Sequence, residues 1–132
     1  MTARFEPYIF ALLRFVAGLL FLMHGTRKLW GWPGDRPPST ETLSIVGGWI
    51  EVVCGVLIAF GIFATWAAFL ASGTMAVAYF LRHADGGFYP LVNKGELAVL
   101  YCFLWLYVAS RKDPGFPRAK RAATSSDDVT RV

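Results

Sequence analysis

Residues 43–81 read LSIVGGWIEVVCGVLIAFGIFATWAAFLASGTMAVAYFL, with Glu51 as the single charged side chain in the stretch. At about 1.5 Å per residue, one helix of this length would be nearly twice as long as the ~30 Å hydrocarbon core of a bilayer. The stretch must therefore fold back on itself. Gly61 lies at its midpoint and divides it into two spans, 43–60 and 63–81, joined by a tight turn. Ala64, Ala68, Ser72 and Ala76 recur every four residues and give the later span a small-residue stripe for close helix packing. Gly55 and Ala59 do the same on the earlier one.

Toward the amino terminus, residues 8–23 are apolar except for Arg14, and with His24 and Gly25 they make a minimal first span, 8–25. The sequence that follows, HGTRKLWGW, is bulky where a signal peptidase needs small residues, so this span is read as retained. Residues 26–42 carry Pro33, Gly34, Asp35, Arg36, Pro37 and Pro38 and form a first loop, with Ser39 or Thr40 placed to cap the next helix. Toward the carboxyl terminus, residues 82–93 (RHADGGFYPLVN) read as a second polar loop. Asn93 and Glu96 have the spacing of a capping box opening a last span, 94–110. Residues 111–132 form a tail with a basic collar, Arg111, Lys112, Arg118, Lys120 and Arg121; its final stretch, ATSSDDVTRV, lacks apolar periodicity and is expected to be disordered. The expected fold is all-α: one integral membrane domain, residues 1–110, built as an antiparallel up-down-up-down four-helix bundle.

Composition agrees. The 132 residues are 55% hydrophobic and 17% charged with mean hydropathy +0.46, against about 45–50% and about 25% in soluble domains. The net charge of +4 comes from basic residues that flank apolar runs rather than interleaving with aromatics on a soluble surface, which argues against nucleic acid as a partner. Cys54 and Cys102 lie inside apolar runs without metal-ligand or CxxC spacing and read as small buried residues. Arg4 and the collar outweigh Arg27, Lys28, Arg36, Arg82 and Lys94 in the two loops, placing both termini in the cytoplasm. Trp30, Trp32, Trp49, Trp66 and Tyr107 fall near span ends as interfacial anchors.

The chemistry lies in the ionisable residues. Arg14, Gly18, Phe21, Gly25 and Lys28 are spaced by four, three, four and three residues along one face of the first helix. A charge near the bilayer centre costs roughly 2.5–3.5 kcal/mol on insertion scales, so Arg14 needs a partner, and Glu51 is the one acid inside an apolar run. Gly48, Glu51 and Gly55 share a face that admits another backbone. Arg14 and Glu51 are therefore expected to meet, either as a structural ion pair or as a proton relay lining a polar pocket. His24, Lys28, Arg82, His83, Asn93 and Glu96, with Tyr89, gather at one mouth of the bundle as a candidate substrate-binding cup. Each also has a structural role to hand, as anchor or cap. Nothing in the sequence brings His24 and His83 face to face for haem iron, and no metal site, intrinsic cofactor, phosphate loop or dinucleotide fingerprint is read.

Arg14, Gly18, His24-Gly25, Lys28-Leu29, Glu51, Gly55, Gly61, Thr65, Met75, Ala78, Gly87-Phe88-Tyr89-Pro90, Asn93, Gly95 and Glu96 together resemble the DoxX family of bacterial and archaeal membrane proteins. The resemblance runs from Arg14 to Tyr101. It implies a four-helix membrane fold and a link to quinone-dependent oxidoreduction, since founding members are small subunits associated with a terminal quinol oxidase and with thiosulfate:quinone oxidoreduction. It further implies quinone as substrate or bound lipid-soluble ligand, and a soluble or membrane redox partner to supply electrons. Related four-helix families include proteins that bind or escort other proteins. A non-enzymatic scaffold, assembly factor or small-molecule permease, and a homo-oligomer, therefore stand beside the oxidoreductase reading.

Overall fold

The computed structural model describes residues 3–112, and the tail beyond Lys112, including Arg118, Lys120, Arg121 and the stretch expected to be disordered, lies outside the described residues. Four α-helices follow in chain order: α1 Glu6–Trp30, α2 Thr42–Phe60, α3 Ala64–Arg82 and α4 Glu96–Ser110, with a single 3₁₀ turn at Ala84–Gly86. Among the described residues there is no strand, so the all-α expectation holds.

α1 runs five residues beyond the Gly25 boundary expected from hydropathy. Thr26, Arg27 and Lys28 are polar, yet nothing from Thr26 to Trp30 breaks a helix; the first residue that does is Gly31. Gly31 adopts left-handed φ 74° and donates its N–H to the Arg27 carbonyl, and the Ser39 N–H caps the Lys28 carbonyl at 2.8 Å. Ser39 thus closes the helix before the loop rather than opening the one after it; α2 begins behind Glu41 without a side-chain cap.

The turn at Gly61 forms where the midpoint argument places it. Gly61 is left-handed at φ 70°, its N–H bonds the Ile58 carbonyl at 3.1 Å, and the Ile62 N–H bonds the Leu57 carbonyl at 2.9 Å. This is the two-bond Schellman closure, which a residue without a Cβ makes at least cost.

α1 and α2 run antiparallel in near backbone contact. A Cβ on Gly18 would sit 2.8 Å from the Ala59 nitrogen, one on Gly55 2.8 Å from the Leu22 nitrogen, and one on Gly25 2.6 Å from the Gly48 carbonyl oxygen. α3 and α4 also run antiparallel, the Ser72 hydroxyl donating to the Cys102 carbonyl at 2.7 Å and Gly95 lying against the Tyr79 ring. The small stripe of α3 is buried as expected at Ala64, Ala68 and Ser72, and it widens to include Ala67 and Ala71. Between these two hairpins the contact is aromatic: Phe21 of α1 meets Tyr101 at 5.4 Å and Trp105 at 5.3 Å between ring centroids. At the end holding the start of α1, Phe10 meets Tyr107 edge-on, Glu6 pairs with Arg111, and the Arg111 guanidinium lies 3.9 Å over the Phe10 ring.

The outer surface is apolar. Ile9, Leu12, Leu20, Val53, Phe69 and Phe103 are all exposed while Arg14 and Glu51 are buried, the inverse of a water-soluble bundle. α1, α2 and α3 are each long and apolar enough to cross a membrane; α4, at 15 residues, is shorter. Trp30 and Trp49 touch edge-on at 5.5 Å near the end of α1, a placement suited to a headgroup boundary.

The glycine contacts give a direct test. Gly18→Leu and Gly25→Leu must push α2 away and are expected to cost about 1–3 kcal/mol or more each. Gly73→Leu faces open space within 4 Å and should leave stability unchanged or raised. Thermal unfolding of the three variants in one detergent checks the ordering.

Candidate functional site

Glu51 is the central residue of α2, and only 2% of it is exposed. Its partner is Lys28: Nζ donates to Oε1 at 2.6 Å. The expected Arg14–Glu51 pair is not made. Arg14, equally buried, has its guanidinium against Gly61, where a Cβ would lie 2.9 Å from Nη1. Gly61 is ten residues along α2 from Glu51, about 15 Å at the helical rise. The mispairing has a simple physical origin. Gly18 lies beside Ala59 and Gly25 beside Gly48 and Val52, so Arg14 and Glu51 stand at different levels of the α1–α2 seam. That register carries Lys28, on the same face as Arg14, to Glu51. Arg14 is left at the carboxyl end of α2, where the helix dipole favours a cation.

His24 lies one turn before Lys28. Its ring stands edge-on to Tyr101 at 5.9 Å, and Tyr101 stacks on Trp105 at 5.6 Å with an interplanar angle of 19°. Glu51 and Tyr101 are buried, Lys28 is partly exposed and His24 is exposed, so the polar group runs from a buried carboxylate to an open edge, with Phe21 and Trp105 packed against Tyr101. Lys28 reaches its edge, 36% exposed against 2% for the Glu51 side chain. Two buried atoms of this region, Glu51 Oε2 and Trp105 Nε1, have no hydrogen-bond partner among the described residues. A buried carboxylate oxygen whose lone pairs accept no hydrogen bond is costly.

The remaining mouth residues do not join this group. Asn93 is itself buried and fully engaged: its Nδ2 donates to the Tyr79 hydroxyl and to the Gly87 carbonyl, each at 3.0 Å, and its Oδ1 accepts the Gly95 N–H at 2.8 Å. The expected capping box is absent, because Lys94 adopts left-handed φ 62° and α4 starts only at Glu96, behind Gly95. Asn93 makes a local Asx bond instead. His83 Nδ1 lies 3.2 Å from the Asn93 carbonyl oxygen. Arg82 bonds Ser44 at 3.2 Å and Glu41 at 2.7 Å as an exposed pair of small energetic value. Glu96 lines a separate groove of about 490 Å³ with Pro90, Leu91, Val99, Leu100 and Phe103. The single cup therefore resolves into a buried centre around Glu51, a loop staple around Asn93, a surface pair at Arg82 and an outlying Glu96. His24 and His83 belong to different clusters. Cys54 and Cys102 are free thiols, and no group of three or more His, Cys, Asp or Glu able to hold a metal occurs among the described residues.

Tyr101, Trp105 and Tyr79 are the members that sequence reasoning missed. Tyr101 and Trp105 are four residues apart within the last span rather than at its end, and aromatic rings with polar atoms in the interior of a membrane helix were the available signal.

Residues 9–84 match a family model described as DoxX. A relative from Haemophilus influenzae, known only as an uncharacterised protein, is 40% identical over 111 residues, which cover 79% of this chain and 83% of the relative. No solved structure matches.

Removing Lys28 strands the Glu51 carboxylate. Lys28→Met is expected to cost about 3–5 kcal/mol, with most of it recovered in Lys28→Met/Glu51→Gln, where no charge remains to be answered. Thermal melts of both variants, compared with the parent, decide this; equal losses in the single and double variants would count against the pairing as the main role of Lys28.

Proposed function

We propose, from the premise that this chain belongs to the DoxX family of small membrane proteins, that it is the membrane component of a quinone-linked oxidoreductase system, with the Glu51–Lys28 centre as its quinone site. The observation that carries the reading is the second carboxylate oxygen of Glu51, buried without a hydrogen-bond partner among the described residues, on the helix pair whose His24 meets the stacked rings of Tyr101 and Trp105. A quinone headgroup is a flat ring with carbonyl oxygens at its ends, and it suits a site with stacked rings on one side and a cation and a carboxylate on the other.

In this reading Lys28 donates a hydrogen bond to one quinone oxygen while His24 and Tyr101 hold the ring edge. Reduction to the quinol takes two electrons from a soluble or membrane partner and two protons. The Lys28–Glu51 pair delivers one proton to the oxygen it contacts and is recharged from the aqueous mouth through the partly exposed ammonium, and the second proton reaches the other oxygen from water at that mouth. In the reverse direction the Glu51 carboxylate takes the quinol hydroxyl proton. Arg14, about 15 Å away along α2, has no part in the relay and serves the opposite end of the bundle.

Detergent-purified protein should release quinone into an organic extract, read by its ultraviolet absorption before and after borohydride. Glu51→Gln keeps the oxygen that accepts from Lys28, so folded protein should persist in the membrane while quinone-dependent turnover with the cognate partner is lost. Absence of quinone, together with unchanged redox activity in a deletion strain, would favour a scaffold or permease built on the same bundle.

We infer that both termini lie in the cytoplasm of a prokaryotic plasma membrane, because Arg4 and the collar Arg111, Lys112, Arg118, Lys120 and Arg121 outnumber Arg27, Lys28, Arg36, Arg82 and Lys94 in the two loops. A carboxyl-terminal green fluorescent protein fusion should fluoresce and the matching alkaline phosphatase fusion should be inactive; the opposite pattern reverses the orientation.

A further inference from the structure

We propose that the groove beside the start of α4 is a binding site for one membrane phospholipid with a primary-amine head, a phosphatidylethanolamine. Its ammonium meets Glu96, its phosphate meets Lys94, and one acyl chain lies along Val99, Leu100 and Phe103. The site is separate from the Glu51 centre and does not depend on the quinone reading.

Depth comes first. Gly95 packs against the Tyr79 ring and His83, and Tyr79 lies three residues before the end of α3 at Arg82. α4 therefore starts about one turn inside the end of α3, and its 15 residues make about 22 Å against a hydrocarbon core of about 30 Å. A span this short draws the lipid boundary in toward it. The N–H groups of Phe88, Tyr89 and Leu91 have no acceptor among the described residues, which keeps that segment among headgroups and water. Glu96 thus opens α4 at the level where lipid heads give way to acyl chains.

The groove has the matching polarity. Glu96, Val99, Leu100 and Phe103 share one face of α4 at spacings of three, one and three. Pro90 and Leu91 wall that face from the loop side, and the space between them is about 490 Å³. From Glu96 to Phe103 the face runs about 10 Å at the helical rise, polar at the mouth and apolar below. The Glu96 carboxylate is exposed, as is the Lys94 ammonium just before it, and neither makes a hydrogen bond or ion pair with a described residue.

Two unanswered charges of opposite sign, two residues apart at the head of an apolar groove, select the occupant. An ethanolamine head carries an anionic phosphate and a primary ammonium joined by a short linker, and it can set each against its opposite. The ammonium donates to the carboxylate in a charge-assisted hydrogen bond. A choline head brings the same two charges, but its quaternary nitrogen has no N–H to donate. An anionic head answers Lys94 and is repelled by Glu96. A quinone brings no charge to either.

The test is competition between heads. The full chain in detergent is mixed with equal amounts of dioleoyl phosphatidylethanolamine, phosphatidylcholine and phosphatidylglycerol, and the lipids retained on the monomer are counted by native mass spectrometry. The ethanolamine lipid should be retained several-fold over the choline lipid, and Glu96→Gln should bring the two to near parity. Leu100→Trp, which fills the groove beneath an intact mouth, should lower retention of the ethanolamine lipid. Equal retention of the two on the parent chain overturns the proposal, because the groove then holds only annular lipid. So does an ethanolamine preference that Glu96→Gln leaves intact, which puts the binding elsewhere, and so does a preference for the glycerol head, which makes Lys94 the sole determinant. A dimer that Leu100→Trp abolishes means that a second copy fills the groove, and it also overturns the site. If Glu96→Gln fails to fold, Leu100→Trp decides alone: unchanged retention of the ethanolamine lipid overturns the proposal.

Discussion

A carboxylate at the middle of a membrane helix has to be met by a cation within hydrogen-bond reach, and in this protein that requirement is satisfied by Lys28 at 2.6 Å from Glu51. Much else follows from it. Lys28 can reach only because α1 stays helical to Trp30, and α1 lies close enough only because Gly18, Gly25, Gly48 and Gly55 let two backbones touch. The small residues are therefore placed where the charge demands proximity. Larger ones at the same positions would bury more apolar surface and still separate the pair.

The two interhelical seams of α1 differ in kind. Against α2 the contact is backbone on backbone along Gly18, Gly25 and Gly55, with Phe15–Phe60 and Trp30–Trp49 packed beside that strip. Against α4 it is ring on ring, through Phe10, Phe21, Tyr101, Trp105 and Tyr107. Lipid offers no hydrophobic drive for helices to associate, so close van der Waals packing on one side and large interlocking surfaces on the other are the two available means. The polar group sits where they meet, with Lys28 meeting Glu51 across the glycine seam and His24 against the ring of Tyr101.

Much of this is legible in the chain. The reversal at Gly61, the small stripe of α3, the shared face of Arg14, Gly18, Gly25 and Lys28, and the identity of Glu51 as the residue needing an answer all follow from spacing and from the cost of charge in lipid. The partner of Glu51 does not, because register between helices is set by glycine contacts that fix relative depth, and hydropathy ended the first span too early. Asn93 and Glu96 show the same limit at a smaller scale. Their spacing fits a capping box, but one left-handed residue between them, Lys94, sends the Asn93 side chain to Gly95, Gly87 and Tyr79 instead. Tyr101 enters the centre only through the packing of α4 on α1, which no local pattern encodes.

Lys28 and Glu51 lie on consecutive helices, and the glycines that bring them together lie on the same two. The order of synthesis gives that adjacency a meaning. Once the chain up to Phe60 has left the ribosome, everything needed to neutralise the costliest charge in the bilayer is already present, before α3 and α4 exist. The first hairpin can enter the membrane with its buried acid already paired, and the second then arrives with no buried acid of its own to bring across.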